Sequence, residues 1–228
     1  MRHKSIGNWS LRSISVARGA ISVGAALGIA AALAAAALGI AAWTGWQVAA
    51  AAGAYLALNA AYSLGLKHVP VLDVFLIAAG FMLRLLAGTW GIGIEPSRWL
   101  LACGFLLTLF LGFAKRRAEL ERLAGDAGQH RAVLDSYTLA FLDKAVFACV
   151  LGMVVTYSLY TVSAETVALH GTEQLIWTLP WVLLGSFRYL FRLHFRGGGG
   201  DPTQELLRDP LLAASALGWV ATVVWLIG

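Results

Sequence analysis

Charge is what this 228-residue chain has least of, with Asp, Glu, Lys and Arg together making up 13% of it. A soluble domain needs far more polar surface, so the shortage excludes one. Acid is the scarcer sign, 12 residues against 17 Lys and Arg, and no acidic residue precedes Asp73. Cys103 and Cys149 are the only cysteines. Both lie in apolar runs, which argues against a disulfide or a thiolate metal site. His3, His68, His130, His170 and His194 are scattered, without metal-ligand spacing. The glycine run Gly197–Gly200 lacks the Lys-Ser/Thr of a phosphate-binding P-loop and reads as a flexible tether. No internal repeat is evident.

What the chain has is apolar length: 59% of its residues are hydrophobic and its mean hydropathy is +0.74. Runs of about 17–25 apolar residues span a bilayer as helices, and isolated strands would leave backbone groups unpaired in lipid. Seven spans are predicted, at 20–41, 46–61, 71–89, 97–114, 144–163, 174–192 and 210–227, giving an all-α integral membrane protein of one helical domain. The run from Gly19 to Ala42 is too long for a signal-peptide core and reads as a retained first helix. Fifteen of the 17 Lys and Arg fall on one side of this topology. Arg98 lies opposite and Arg84 within a span. The positive-inside rule then puts the N-terminus in the cytoplasm and the C-terminus outside, in the plasma (inner) membrane. Topology accounts for the net charge of +5 without a nucleic-acid partner.

Gly24 and Gly28, in an Ala-rich stretch, suggest close helix packing through small side chains. The external loops, near 42–45, 90–96 and 164–173, are short, so function is expected on the longer cytoplasmic side. Residues 115–143 form its largest element. Asp201-Pro202 has the pattern of an N-cap followed by N1 proline, and Pro210 opens the last span. The nine Trp and six Tyr suggest an aromatic belt near the span ends.

The hinge between the second and third spans, Tyr62-Ser-Leu-Gly-Leu-Lys67-His-Val-Pro70-Val-Leu-Asp73, carries charge where idle charge is costly. A positive-inside lysine and an N-terminal helix carboxylate would each be unremarkable alone. Together in one Pro70-fixed hinge they point to a site. Ile77, Gly80, Arg84 and Gly88 share the helix face of Asp73, but about 16 Å of rise separates Asp73 from Arg84, so the two do not pair. Arg84 stays open between lining a polar cavity and tying helices together. At the end of the fourth span, Lys115, Arg116 and Glu119 fall within one turn if the helix continues. Such a cluster suits a phosphate or diphosphate, or else anionic lipid headgroups. Arg188 and Arg192 stand one turn apart and could join it, although snorkelling is the simpler account of Arg192.

These residues resemble a known family. Tyr62-Ser63-x-x-Leu66-Lys67 with Asp73, then Arg84-x-x-Ala87-Gly88, is similar to a conserved region of the UbiA superfamily of prenyltransferases. Ala114-Lys115-Arg116-Arg117-Ala118-Glu119-Leu120, Tyr137-Thr138-x-x-Phe141-Leu142-Asp143 and Gly200-Asp201-Pro202-Thr203 through Asp209 resemble its polyprenyl-phosphate phosphoribosyltransferase branch. The likeness runs from about residue 12 to the C-terminus. It implies a nine-helix bundle with an Mg²⁺-dependent cytoplasmic site, in which a polyprenyl phosphate attacks C1 of phosphoribosyl diphosphate. By the same resemblance Lys67, Lys115 and Arg116 would grip phosphate; Arg188, from its place near the cluster, is a further candidate substrate contact. Asp73 would assist metal or ribose, Tyr62 and Glu119 would orient substrate, and Arg84 would line the cavity. The family's first Asp-rich motif has no counterpart in this sequence. The expectation is therefore a chain without the first two helices and that motif, its Met1 internal to a longer protein. Arg12-Ser13-Ile14 would match the family's Arg-Pro-Ile, and the chain would hold Mg²⁺ poorly and be inactive by itself. Two other readings stay open: an aromatic, 4-hydroxybenzoate-type polyprenyltransferase, and a membrane transporter or lipid-binding protein without enzymatic activity.

Overall fold

The computed structural model describes residues 22–123, 136–195 and 200–228, and among them every regular element is helical. Arg2, Lys4, Arg12-Ser13-Ile14, Arg18, Arg131 and most of the 197–200 tether lie outside the described residues. Seven long helices follow the seven predicted spans: α1 (Val23–Thr44), α2 (Trp46–Leu64), α3 (Leu72–Gly91), α4 (Arg98–Leu123), α5 (Leu139–Thr161), α7 (Leu179–Phe195) and α9 (Pro210–Ile227). Two short helices, α6 (Ala164–His170) and α8 (Pro202–Arg208), complete the set. Helices α1, α3, α4, α5 and α9 are long and apolar enough to cross a membrane. The chain is thus an all-α, multi-pass membrane protein.

Local chemistry sets the helix ends. Ser22 caps α1, its Oγ accepting from the Ala25 amide at 3.2 Å, and Thr138 caps α5 through the Phe141 amide. Asp201 and Asp209 cap α8 and α9, each followed by proline at the first helical position, as the sequence pattern requires. The loop expected at 164–173 holds α6, capped by Ser163 and ended by Gly171 at φ +68°. Helix α4 runs beyond the predicted 97–114 to Leu123, because the Lys115–Leu120 stretch keeps good helix formers without a breaker.

Helices α4 and α5 form the most extensive pairing, with α2 on α3, α1 on α2, α3 on α4 and α7 on α9. Val74, Phe113, Leu142, Val146, Leu193 and Leu212 meet in the core. Lipid is as apolar as leucine, so close van der Waals packing and hydrogen bonds hold these helices rather than expulsion from water. Space for a side chain is absent at particular glycines. A Cβ on Gly112 would stand 2.5 Å from Cγ1 of Val74, and one on Gly218 would stand 2.8 Å from the Trp181 ring. The expectation for Gly24 and Gly28 is corrected: a Cβ at either meets nothing within 4 Å, because that face of α1 has no helix against it among the described residues. Some of the aromatics make specific hydrogen bonds inside the bundle. Trp219 donates to the Tyr157 hydroxyl at 2.7 Å and Trp181 to Thr222 at 3.0 Å, tying α5, α7 and α9 together.

Candidate functional site

At the end of the bundle where α2 meets α3 and α4 meets α5, the chain gathers its charge. Asp73 opens α3 and is fully buried. Its Oδ2 accepts from Nε of Arg116 at 2.9 Å and its Oδ1 from the Tyr137 hydroxyl at 3.0 Å. Arg116, also buried, donates through Nη1 to Glu119 Oε2 at 2.7 Å, one helical turn on. A buried carboxylate survives only when its charge and lone pairs are answered, and here both oxygens are. The Tyr137 hydroxyl also accepts from the Val71 amide. Burial, with the neighbouring Asp73 charge contributing, pushes this phenol up to about 12, so it stays a neutral donor.

Next to it, Arg117 donates to Asp143 at 2.6 Å, to Glu121 at 2.8 Å and to the Leu193 carbonyl at 2.8 Å. His194 Nε2 lies 3.1 Å from the same Asp143 oxygen. Helices α4, α5 and α7 are thus stitched together at one level. Arg188 and Arg192 form a separate clasp rather than joining the Arg116 cluster. Arg188 grips Asp209 in a fork, Nε to Oδ1 at 3.0 Å and Nη2 to Oδ2 at 2.7 Å. Arg192 bonds Asp209 at 2.9 Å and Glu205 as well, so it holds α8 and α9 to α7 rather than snorkelling. The Arg188 guanidinium, followed by the α9 cap amides and Arg192, keeps the Asp209 carboxyl well below the usual carboxylate range.

The remaining predicted site residues fall into two places. Lys67, in a short 3₁₀ turn over Leu66–His68, and Lys115, on α4, are exposed. Tyr62 and Arg84 both line a cleft of about 180 Å³ between α2 and α3, together with Tyr55, Asn59 and Gly80. The partner that Arg84 needs is Tyr55. The guanidinium lies 4.7 Å from the ring centroid and donates to its hydroxyl. The spacing of Tyr55, Asn59 and Tyr62 on one face of α2 was the available signal for this. Tyr137, although one of the family-like motifs contains it, carries no role in the sequence analysis, nor do Asp143, Glu205 and Asp209. Polar groups just before a helix are the signal for Tyr137 and Asp209.

The donor set does not suit Mg²⁺. Hard cations need several free oxygens, whereas both Asp73 oxygens are engaged by Arg116 and Tyr137. Among the described residues no three of His, Cys, Asp and Glu stand where they could hold a metal. What the arrangement offers is exposed ammonium groups at the same bundle end as a buried, acid-rich ion-pair layer. A mostly apolar groove of about 600 Å³ lies between α4, α5, α7 and α9 and reaches Pro202 and Leu206 of α8.

Residues 12–205 match the UbiA prenyltransferase family. A decaprenyl-phosphate phosphoribosyltransferase of Corynebacterium glutamicum is 34% identical over 215 residues, covering 92% of this chain and 63% of the relative. The protein of the same name from Mycolicibacterium smegmatis is 30% identical over 213 residues, covering 91% of this chain and 67% of the relative. That from Mycobacterium tuberculosis is 30% identical over 169 residues, covering 74% and 55%. The chain thus spans a little under two thirds of the length of the Corynebacterium relative.

Proposed function

This chain belongs to the UbiA prenyltransferase family, and from that premise we propose that it serves a membrane transferase moving phosphoribose from phosphoribosyl diphosphate to a polyprenyl phosphate. A phosphate oxygen of the lipid attacks C1 of the donor, the bond from C1 to the diphosphate oxygen breaks, and diphosphate leaves with the bonding electrons. The observation that carries the reading is the juxtaposition at one bundle end of exposed Lys67 and Lys115 with the Asp73–Arg116–Glu119 layer.

Each part has a physical task. Lys67 and Lys115 contact the anionic phosphates and offset the charge that grows on the leaving diphosphate. Arg116 lies behind them, spending Nε on Asp73 and Nη1 on Glu119. Glu119 fixes the guanidinium, and Asp73 anchors the start of α3. Tyr62 and Arg84 line the polar cleft deeper between α2 and α3, and Arg188 braces α7 against α9. The apolar groove, its walls ending at α8, suits a prenyl chain running through the bilayer. Mg²⁺, the family's expected cofactor, would shield diphosphate charge, but the described residues do not provide its ligands. The site faces the cytoplasm of an inner-membrane protein, in keeping with the lysine and arginine asymmetry.

The test offers membranes containing this chain two labelled donors, phosphoribosyl diphosphate with decaprenyl phosphate, and prenyl diphosphate with 4-hydroxybenzoate. Phosphoribosyl diphosphate is expected to bind, and whatever label is transferred is expected to be ribose in the lipid extract rather than prenyl on the aromatic acid. Label on the aromatic acid would replace this reading with an aromatic prenyltransferase. Label in neither, with no binding of phosphoribosyl diphosphate by the purified chain, would remove both.

A further inference from the structure

Val71 is the strained point of the hinge. Its backbone lies at φ +68° and ψ −49°, and it alone among the described non-glycine residues has a positive φ. A β-branched side chain is rarely found there. The Leu72 amide donates to the Pro70 carbonyl at 2.8 Å, two residues back. Pro70, Val71 and Leu72 therefore form a γ-turn of the rare positive-φ kind, which persists only when its surroundings hold it. The 3₁₀ turn bearing Lys67 is joined directly to it, because Val69 N–H donates to Leu66 C=O and Asp73 N–H to Val69 C=O, both at 3.1 Å.

One side chain from outside the hinge holds this turn by hydrogen bonds at two points. The Tyr137 hydroxyl accepts from the Val71 amide and donates to Asp73 Oδ1 at 3.0 Å, reaching across 66 and 64 residues of sequence. Asp73 is itself pinned by Arg116. The Tyr137 ring stacks on Phe141 at 6.0 Å between centroids, so removal of the hydroxyl leaves the ring's packing in place.

We propose that Tyr137 is a positioning residue: its hydroxyl keeps Val71 in the γ-turn and so sets where the hinge presents Lys67 to an anionic donor. The presentation of Lys67 rests on the functional reading above, whereas the hold on Val71 does not. Without the hydroxyl, Val71 relaxes to negative φ, a rotation of about 130° toward ordinary backbone values. The residues from Leu66 to Pro70 then swing relative to α3.

The experiment is a cycle of Tyr137→Phe and Val71→Gly in the purified full chain, read in two ways. Glycine adopts positive φ without steric cost but loses more entropy on ordering. Val71→Gly should therefore raise the thermal unfolding midpoint where Tyr137 enforces the turn and lower it in the Tyr137→Phe background, where the strain has already relaxed. Equal shifts in both backgrounds would overturn the hold. The second readout is binding of inorganic pyrophosphate. Tyr137→Phe should weaken it about tenfold, the scale of one released backbone strain. Adding Val71→Gly should recover part of that loss, since glycine reaches the turn's positive φ without steric cost. A double variant as weak as Tyr137→Phe alone would show that the hydroxyl does not act through the hinge. Failure of the parent chain to bind pyrophosphate would remove the positioning role together with the functional reading, while the thermal cycle would still decide the hold on Val71.

Discussion

Asp73→Asn removes the charge of a fully buried carboxylate and preserves its shape. The Asn carbonyl can still accept from Tyr137, but its amide then faces Nε of Arg116, donor against donor. Orphaning one member of a buried ion pair costs about 3–5 kcal/mol. Arg116 keeps Glu119 at 2.7 Å, and Glu119 is partly open to solvent, so the expected loss is smaller, about 2–3 kcal/mol. Arg116→Met strands the Asp73 charge with only Tyr137 to answer it and should cost about 3–5 kcal/mol. In the double variant neither charge remains, and the total should fall below the sum of the two losses by at least about 1.5 kcal/mol. The assay is unfolding of each variant in mixed micelles of rising denaturing-detergent fraction, followed by tryptophan fluorescence. Losses that add to within about 0.5 kcal/mol would refute the reasoning, because the two side chains would then not be interacting.

Gly112→Ala should destabilise the same unfolding reaction by about 1–3 kcal/mol, its new methyl driven into Val74, whereas Gly24→Ala should change it by less than about 0.5 kcal/mol. Asp209 has a depressed carboxyl, so the stability it gains from Arg188 is fully present above its ordinary value near 3.8 and drains as pH falls below it. Asp209→Asn should accordingly flatten the pH dependence of the unfolding midpoint on the acid side; an unchanged slope would count against the clasp. The Tyr137 phenol is raised from 10.0 to about 12, so its contribution is intact below pH 10 and lost as pH climbs through 12. The difference in phenolate absorbance between the parent and Tyr137→Phe should titrate near 12, and a midpoint near 10 would contradict its burial beside Asp73.

Most of the helical frame was legible from short stretches of sequence, because a span needs only enough consecutive apolar residues and the α8 and α9 caps need only an aspartate before proline. The register of Lys115, Arg116 and Glu119 could be foreseen for the same reason, since neighbours one turn apart are fixed by helix geometry. The sequence even isolated the Lys67–Asp73 hinge, where charge interrupts apolar runs. Which charges stay free was not legible. Arg116 and Arg188 read as open cations, yet Asp73 is 43 residues from the first and Asp209 is 21 from the second.

By itself the sequence determined that the chain crosses a membrane as helices, roughly where its long spans lie, and which end gathers the charge. Each of these follows from residues close along the chain. Only the tertiary structure decided that Asp73 is spent on Arg116 and Tyr137, that Arg84 rests on Tyr55, and that Val71 is held in a strained turn. The physical reason is that desolvation makes every buried polar group find a partner, and the partner's identity depends on which helices pack together.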